Sequence, residues 1–298
     1  MKSQEMRDVG LFTLISFLYS WPIFFAVDAW LVPMYLRQDN LAAARLTLIS
    51  GHLLGMLGPG IAALLLWRVF HRGTPPAWRW SRLKYYGWVV AAALVFWTLP
   101  GLVGVVFGDR LDVPVAPEVW IMIAASVGLG WFAGLGEETG WCGYILPHLS
   151  PRVGKARAVI VSGGIRGLWH WPVLVGGVIA QTIAGELTIA QLVGAALVMI
   201  IQLLLSNILF GAIMCWIWER TKSLPLLGWA HQWFDLARDA TILLLVGYGG
   251  SLWVNSLNGF ILYGLGYWLL SEIGKEEGAT LNNFFRPARL QAAAAAGD

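Results

Sequence analysis

Residues 192–218 read LVGAALVMIIQLLLSNILFGAIMCWIW, 27 residues without one Asp, Glu, Lys, Arg or His. A helix rises about 1.5 Å per residue and a bilayer core is about 30 Å thick, so this stretch is long enough to cross a membrane as a single helix. Working outward, seven more apolar stretches qualify: 9–32, 46–70, 86–108, 119–149, 158–180, 224–246 and 252–270. Charged or proline-containing breaks separate them. The expected fold class is therefore all-α, a polytopic membrane protein built as a bundle of about eight transmembrane helices with both termini cytoplasmic.

Composition points the same way. The 298 residues are 58% apolar or aromatic and 12% charged, and the mean hydropathy is +0.66. Soluble domains carry roughly a quarter charged residues, so a water-soluble globule is excluded. The 18 tryptophans suit a chain that meets the headgroup region repeatedly. Residues 1–274 are expected to form a single transmembrane helical domain with a catalytic core at about 119–246. Residues 275–298, ending in an alanine run, are expected to be a disordered cytoplasmic tail. That tail has no terminal cysteine motif, so the chain is not expected to be a prenylation substrate itself. There is no internal repeat, and the first apolar run lacks a small-residue cleavage site, so it reads as a retained helix.

The net charge is only +3, which makes nucleic acid an unexpected partner and the basic residues topology signals. With the N-terminus inside, fourteen of the twenty lysines and arginines fall in cytoplasmic segments. Arg37, Arg45 and Arg110 fall outside, and Arg68, Arg166 and Arg238 lie within apolar stretches. That bias sets the orientation. The expected location is an integral, multi-pass position in a membrane, the plasma (inner) membrane if the source is bacterial or archaeal. Trp78-Arg-Trp-Ser-Arg-Leu-Lys84 reads as an interfacial anchor on the cytoplasmic face, and the glycines and proline of 55–60 as a site of close helix packing or a kink. Cys142 and Cys215 both lie in apolar segments and imply no disulfide framework.

Ionisable side chains inside apolar helices are costly, which makes each a functional candidate. Glu186, Glu219 and Arg68 sit near helix ends and snorkel; Asp28 and His52 each stand alone among apolar neighbours and read as structural. The rest form three groups. Gly134-Leu-Gly-Glu-Glu-Thr-Gly-Trp-Cys-Gly-Tyr-Ile-Leu-Pro147 carries Glu137 and Glu138 in the fourth crossing. Two adjacent carboxylates in a low dielectric do not both ionise cheaply, so one is expected to hold a proton and serve general acid/base work. Gly167-Leu-Trp-His-Trp-Pro172 carries His170 in the fifth crossing, and His231-Gln-Trp-Phe-Asp235 is an i,i+4 pair on one face of the seventh. At about 1.5 Å per residue, Glu137 and His170 each lie about 20 Å from a cytoplasmic connection and His231 about 14 Å. The three groups are therefore expected to meet in one cavity approached from the cytoplasmic side.

In this order and setting the three blocks resemble the CPBP family, the CAAX-processing and bacteriocin-processing endopeptidases, also called the type II CAAX prenyl protease or Abi family of glutamic intramembrane proteases. The family pattern is Glu-Glu-x-x-x-Arg, then an aromatic-x-x-x-His, then His-x-x-x-Asn/Asp on separate helices. The resemblance covers about 134–235 and extends to the eight-helix layout. It implies that Glu137 and His170 activate a water that attacks a peptide carbonyl, and that His231 and Asp235 stabilise the oxyanion. An ionised Asp235 would repel that charge, so an orienting role toward His231 fits its chemistry better. Glu138 completes the catalytic set, with Trp141, Cys142 and Arg166 as supporting residues.

The chain departs from the pattern twice: the arginine position is Cys142, and the aromatic position is Arg166. One turn from His170, Arg166 is expected to supply to Glu138 the guanidinium that Cys142 does not. The function implied is hydrolysis of a peptide bond in a membrane-associated protein or peptide, with the bilayer as the other partner and no cofactor. A catalytically silent membrane scaffold or immunity protein is the alternative, as is a zinc-dependent protease using a glutamate, His170 and His231. Cysteine catalysis is disfavoured because Cys142 lies about 140° around the helix axis from Glu137. A proton-coupled transporter is disfavoured by the lack of inverted repeats.

Overall fold

The computed structural model describes residues 2–108, 117–241 and 252–276. Among these residues every regular element is helical. Eight rods run in sequence. The first is α1 (Lys2–Phe25), a π-helical segment (Ala26–Leu31) and α2 (Val32–Arg37) in unbroken succession. The second is α3 (Leu41–Met56) and α4 (Gly58–Arg68), separated at Leu57, where the Gly-Pro-Gly sequence interrupts one helix and starts the next. The third is α5 (Leu83–Val106). The fourth is α6 (Pro117–Gly140), a second π-helical segment (Trp141–Ile145) and α7 (Leu146–Val153). The remaining four are α8 (Lys155–Ile183), α9 (Ile189–Thr221), α10 (Leu224–Thr241) and α11 (Leu252–Glu276). The protein is an all-α polytopic membrane protein.

Among the described residues five rods are long and apolar enough to cross a membrane by length and composition: 6–37, 41–68, 83–106, 155–183 and 189–221. In α9 only 6% of the most apolar window is buried, so Leu197, Val198, Ile201 and Leu205 face outward. A helix that is apolar on its exposed side is at ease only against lipid. The seventh rod carries His231 and Gln232 buried among its apolar residues. Helix α11 continues past 270, where the apolar run ends, to Glu276, so residues 275 and 276 are helical. Arg110, the 242–246 end of the seventh crossing and the tail from 277 lie outside the described residues.

Close backbone approach positions the interior. A Cβ built on Gly228 of α10 would lie 2.8 Å from the backbone of Leu135 on α6, and one on Gly60 of α4 would lie 2.8 Å from the carbonyl oxygen of Gly136. Real Cβ contacts do not come that near, so glycine is what lets α6 lie in contact with α4 on one side and α10 on the other. The result is that the Glu137-Glu138 pair is completely enclosed.

Candidate active site

Helix α6 delivers Glu137 and Glu138, α8 delivers Arg166 and His170, and α10 delivers His231 and Asp235. All six enter one connected polar cluster, with Trp141 and Cys142 following directly from α6. The two glutamates have no exposed surface; Arg166 is 2% and His231 5% exposed.

The adjacent carboxylates are held differently. Glu138 is saturated. Its Oε1 accepts from the Arg166 guanidinium and lies 2.9 Å from His231 Nδ1, and its Oε2 accepts from the Cys142 thiol at 3.1 Å. Glu137 is sparsely held. Its Oε2 accepts from the Trp141 indole at 3.2 Å, with Arg166 Nε and His170 Nε2 each 3.7 Å away. Among the described residues its Oε1 has no hydrogen-bond partner, and His231 Nε2 is 3.9 Å from it. The difference follows from helix geometry, since neighbouring residues are rotated about 100° apart. Trp141 and Cys142 each sit four residues after the glutamate they serve, where an α-helical turn brings side chains together.

Asp235 Oδ2 lies 3.4 Å from His231 Nε2, and its Oδ1 accepts from Arg238 at 2.9 Å; Arg238 in turn donates to Asp239 at 2.8 Å. Side-chain exposure rises along this ladder from 0% at the glutamates to 21% at His170, 25% at Asp235 and 39% at Arg238. Toward the start of α10 and the end of α6 the cluster is closed by buried Trp141, Tyr144, Ile145, Leu224 and Leu227. The more exposed members of the cluster lie at the end remote from the 220–222 connection, while a small cavity lined by Cys142, Leu146, Ser162, Gly163 and Arg166 adjoins it on the other side. Arithmetic along a helix fixes a level and leaves the open side undetermined.

Two features escape sequence reading. Phe210 of α9 is 8% exposed. Its ring lies 5.2 Å from the Arg166 guanidinium carbon and 5.2 Å, edge to face, from His231. It forms an aromatic platform behind two site residues, yet in sequence it is one more apolar residue of 192–218. Asp28 and His52, read as lone residues, are paired: His52 Nε2 lies 2.9 and 3.0 Å from the two Asp28 oxygens. Asp28 falls in the first π-helical segment, and the ring of Phe24 separates the pair from the active cluster, 5.8 Å from His52 and 5.3 Å from Trp169.

The donors a metal would use are Glu137, His170 and His231. Among the described residues no group of three or more His, Cys, Asp or Glu side chains is drawn together as a preformed metal-binding set.

Residues 118–237 match the family described as type II CAAX prenyl endopeptidase, Rce1-like. This part of the chain is similar to that family. The segment of CAAX-endopeptidase type runs from the first residues of α6 almost to the end of α10, so it contains every member of the cluster from Glu137 to Asp235. No curated protein matches the chain. The match supports, at the level of the family, the reading of the chain as an integral membrane protein of CAAX-protease type.

Proposed function

We propose that the protein hydrolyses a peptide bond in a membrane-associated protein or peptide through water activated by Glu137 and His170. The supporting observation is the free Oε1 of a wholly enclosed Glu137, with His231 3.9 Å away and His170 3.7 Å from its other oxygen. These gaps are too long for direct hydrogen bonds and match groups that meet through one solvent molecule. A buried carboxylate oxygen left unpaired is otherwise costly.

The chemistry balances on these residues. Water between Glu137 and His170 gives a proton to Glu137 as its oxygen bonds to the carbonyl carbon. The carbonyl electrons move onto oxygen, where a His231 N–H donates to the developing charge. The C–N bond then breaks, and the proton on Glu137 passes to the leaving amine. Glu138 acts as the positioning residue on His231 Nδ1, Asp235 steers the ring from 3.4 Å beside Nε2 and leaves that N–H to the oxyanion, and Arg166 supplies the countercharge that Cys142 does not. No metal is needed in this scheme. The substrate class that the family description suggests is a prenylated C-terminal tail; leader peptides and other membrane-protein tails are the competing substrates. The plasma membrane is the proposed location for a bacterial or archaeal source.

The test is comparative proteomics of membranes carrying wild type or the Glu137→Ala protein. A tail that accumulates uncut in the variant is the expected result. Full cellular function of Glu137→Ala would instead favour the silent scaffold, the reading that Cys142 at the arginine position keeps in play.

A further inference from the structure

Between Asp39 and Asp109 the chain has no acidic residue, while Arg68, Arg72, Arg79, Arg82 and Lys84 fall within 17 positions of each other. Arg72 is 3.8 Å from Asp8. Arg79, Arg82 and Lys84 are exposed, and no described carboxylate pairs with any of them. Trp78 and Trp80, 54% and 63% exposed, stand among them.

This strap, the connection from α4 to α5, is pinned by its backbone and by one ring. Ser223, just before α10, donates to the Arg79 carbonyl at 2.7 Å. Trp80 stacks on Trp131 of α6 at 6.1 Å, and the Trp131 indole donates to the Pro225 carbonyl of α10 at 3.0 Å. The fixed groups face the protein, so the guanidinium and ammonium groups and the Trp78 indole are turned to the surroundings. The basic run ends inside the first turn of α5, where Leu83, 85% exposed, sits between Arg82 and Lys84, and Trp88, 67% exposed, follows one turn on. Cation, indole and aliphatic surface thus lie side by side within residues 78–88, the groups that phosphate, interface and acyl region call for at a bilayer surface.

We propose that the strap formed by Trp78, Arg79, Trp80, Arg82 and Lys84 is a binding surface for anionic phospholipid headgroups. Arg79, Arg82 and Lys84 bind the phosphate and any further negative charge of the headgroup, and the two indoles hold the strap at headgroup depth. The occupant is a lipid and not an acidic soluble protein, because the strap joins two membrane helices and its cations border directly on lipid-exposed side chains. This assignment is independent of the proposed catalytic chemistry, and it survives if the chain hydrolyses nothing.

The experiment uses the full-length protein in micelles, with native mass spectrometry counting retained phosphatidylglycerol against phosphatidylcholine. Each basic residue at such a surface contributes about fivefold, so Arg79→Gln/Arg82→Gln/Lys84→Gln is expected to lose on the order of a hundredfold in phosphatidylglycerol preference. Arg79→Lys/Arg82→Lys/Lys84→Arg should keep it, and raised salt should weaken it in wild type. Melting midpoints without added lipid should agree among the three proteins. Equal retention of the two lipids by wild type would overturn the assignment, as would an unchanged preference in the glutamine variant. So would displacement of the bound anion by an acidic peptide alone, with no lipid preference.

Discussion

Replacing Arg166 by leucine removes a guanidinium that is 2% exposed and paired with a glutamate of zero exposure. Breaking a buried ion pair from one side costs about 3–5 kcal/mol, because the partner charge is left uncompensated. The guanidinium also lies over the rings of Trp141 at 5.6 Å and Phe210 at 5.2 Å, contacts worth about 1 kcal/mol or more each when desolvated. Arg166→Leu is therefore expected to lose about 4 kcal/mol or more, a large part of a stability of about 5–15 kcal/mol. Cys142 provides the control. Its thiol already reaches Glu138 at 3.1 Å, so an arginine there projects onto the same carboxylate from one turn away, beside space lined by Ser162, Gly163 and Gly211. Alone, Cys142→Arg crowds two guanidiniums onto one carboxylate and destabilises. Combined with Arg166→Leu it restores the pair. Melting and peptide hydrolysis measured for the four proteins of this cycle should show a favourable coupling of about 3 kcal/mol, at the upper end for interacting residues. A leucine variant within about 1 kcal/mol of wild type, far below the cost of an unpaired buried charge, would refute the reasoning. So would a double variant whose effect is the sum of the singles.

Phe210→Leu keeps most of the volume and removes both ring contacts, so turnover is expected to fall roughly tenfold at unchanged KM; Phe210→Tyr should keep it, and a loss appearing only in KM would count against a positioning role. Gly228→Ala adds a methyl 2.8 Å from the Leu135 backbone and must push α10 from α6. Its effect should appear as lost activity together with a lower melting midpoint, and an alanine variant equal to wild type in both would contradict the close approach. Exhaustive chelation should leave hydrolysis unchanged if Glu137 and His170 act alone; activity lost on chelation and recovered with zinc would replace that scheme with a metal-assisted one.

What was legible in the sequence is what the bilayer makes costly. Eight apolar stretches were readable because hydrocarbon demands length and apolarity together, and Glu137, Glu138, Arg166, His170, His231 and Asp235 stood out because a polar group in lipid needs a reason. Partnerships across helices were not readable. Asp28 and His52 are 24 positions apart on separate rods, and only the packed bundle shows that each is the other's partner. Phe210 was invisible for the opposite reason: a phenylalanine facing the active cluster and one facing lipid look alike in an apolar run. The two π-helical segments also left no readable trace, although one carries Asp28 and the other follows directly on the glutamate pair.

The paired glutamates show how the site tolerates its missing arginine. Adjacency suggested two carboxylates competing for one proton; the structure has them sharing one cation. Arg166 donates directly to Glu138 and keeps its Nε 3.7 Å from Glu137, so one guanidinium from the neighbouring helix serves both charges. Glu138, with its oxygens taken up by Arg166, His231 and Cys142, is left with little capacity for a substrate. Glu137, bonded only through Trp141, keeps an oxygen free. The helical rotation between neighbours turns one carboxylate into a clamp and leaves the other with an oxygen unbonded among the described residues. That division of labour depends on where a positive charge arrives, not on which helix delivers it, and this is why an arginine moved from position 142 to position 166 is compatible with a working site.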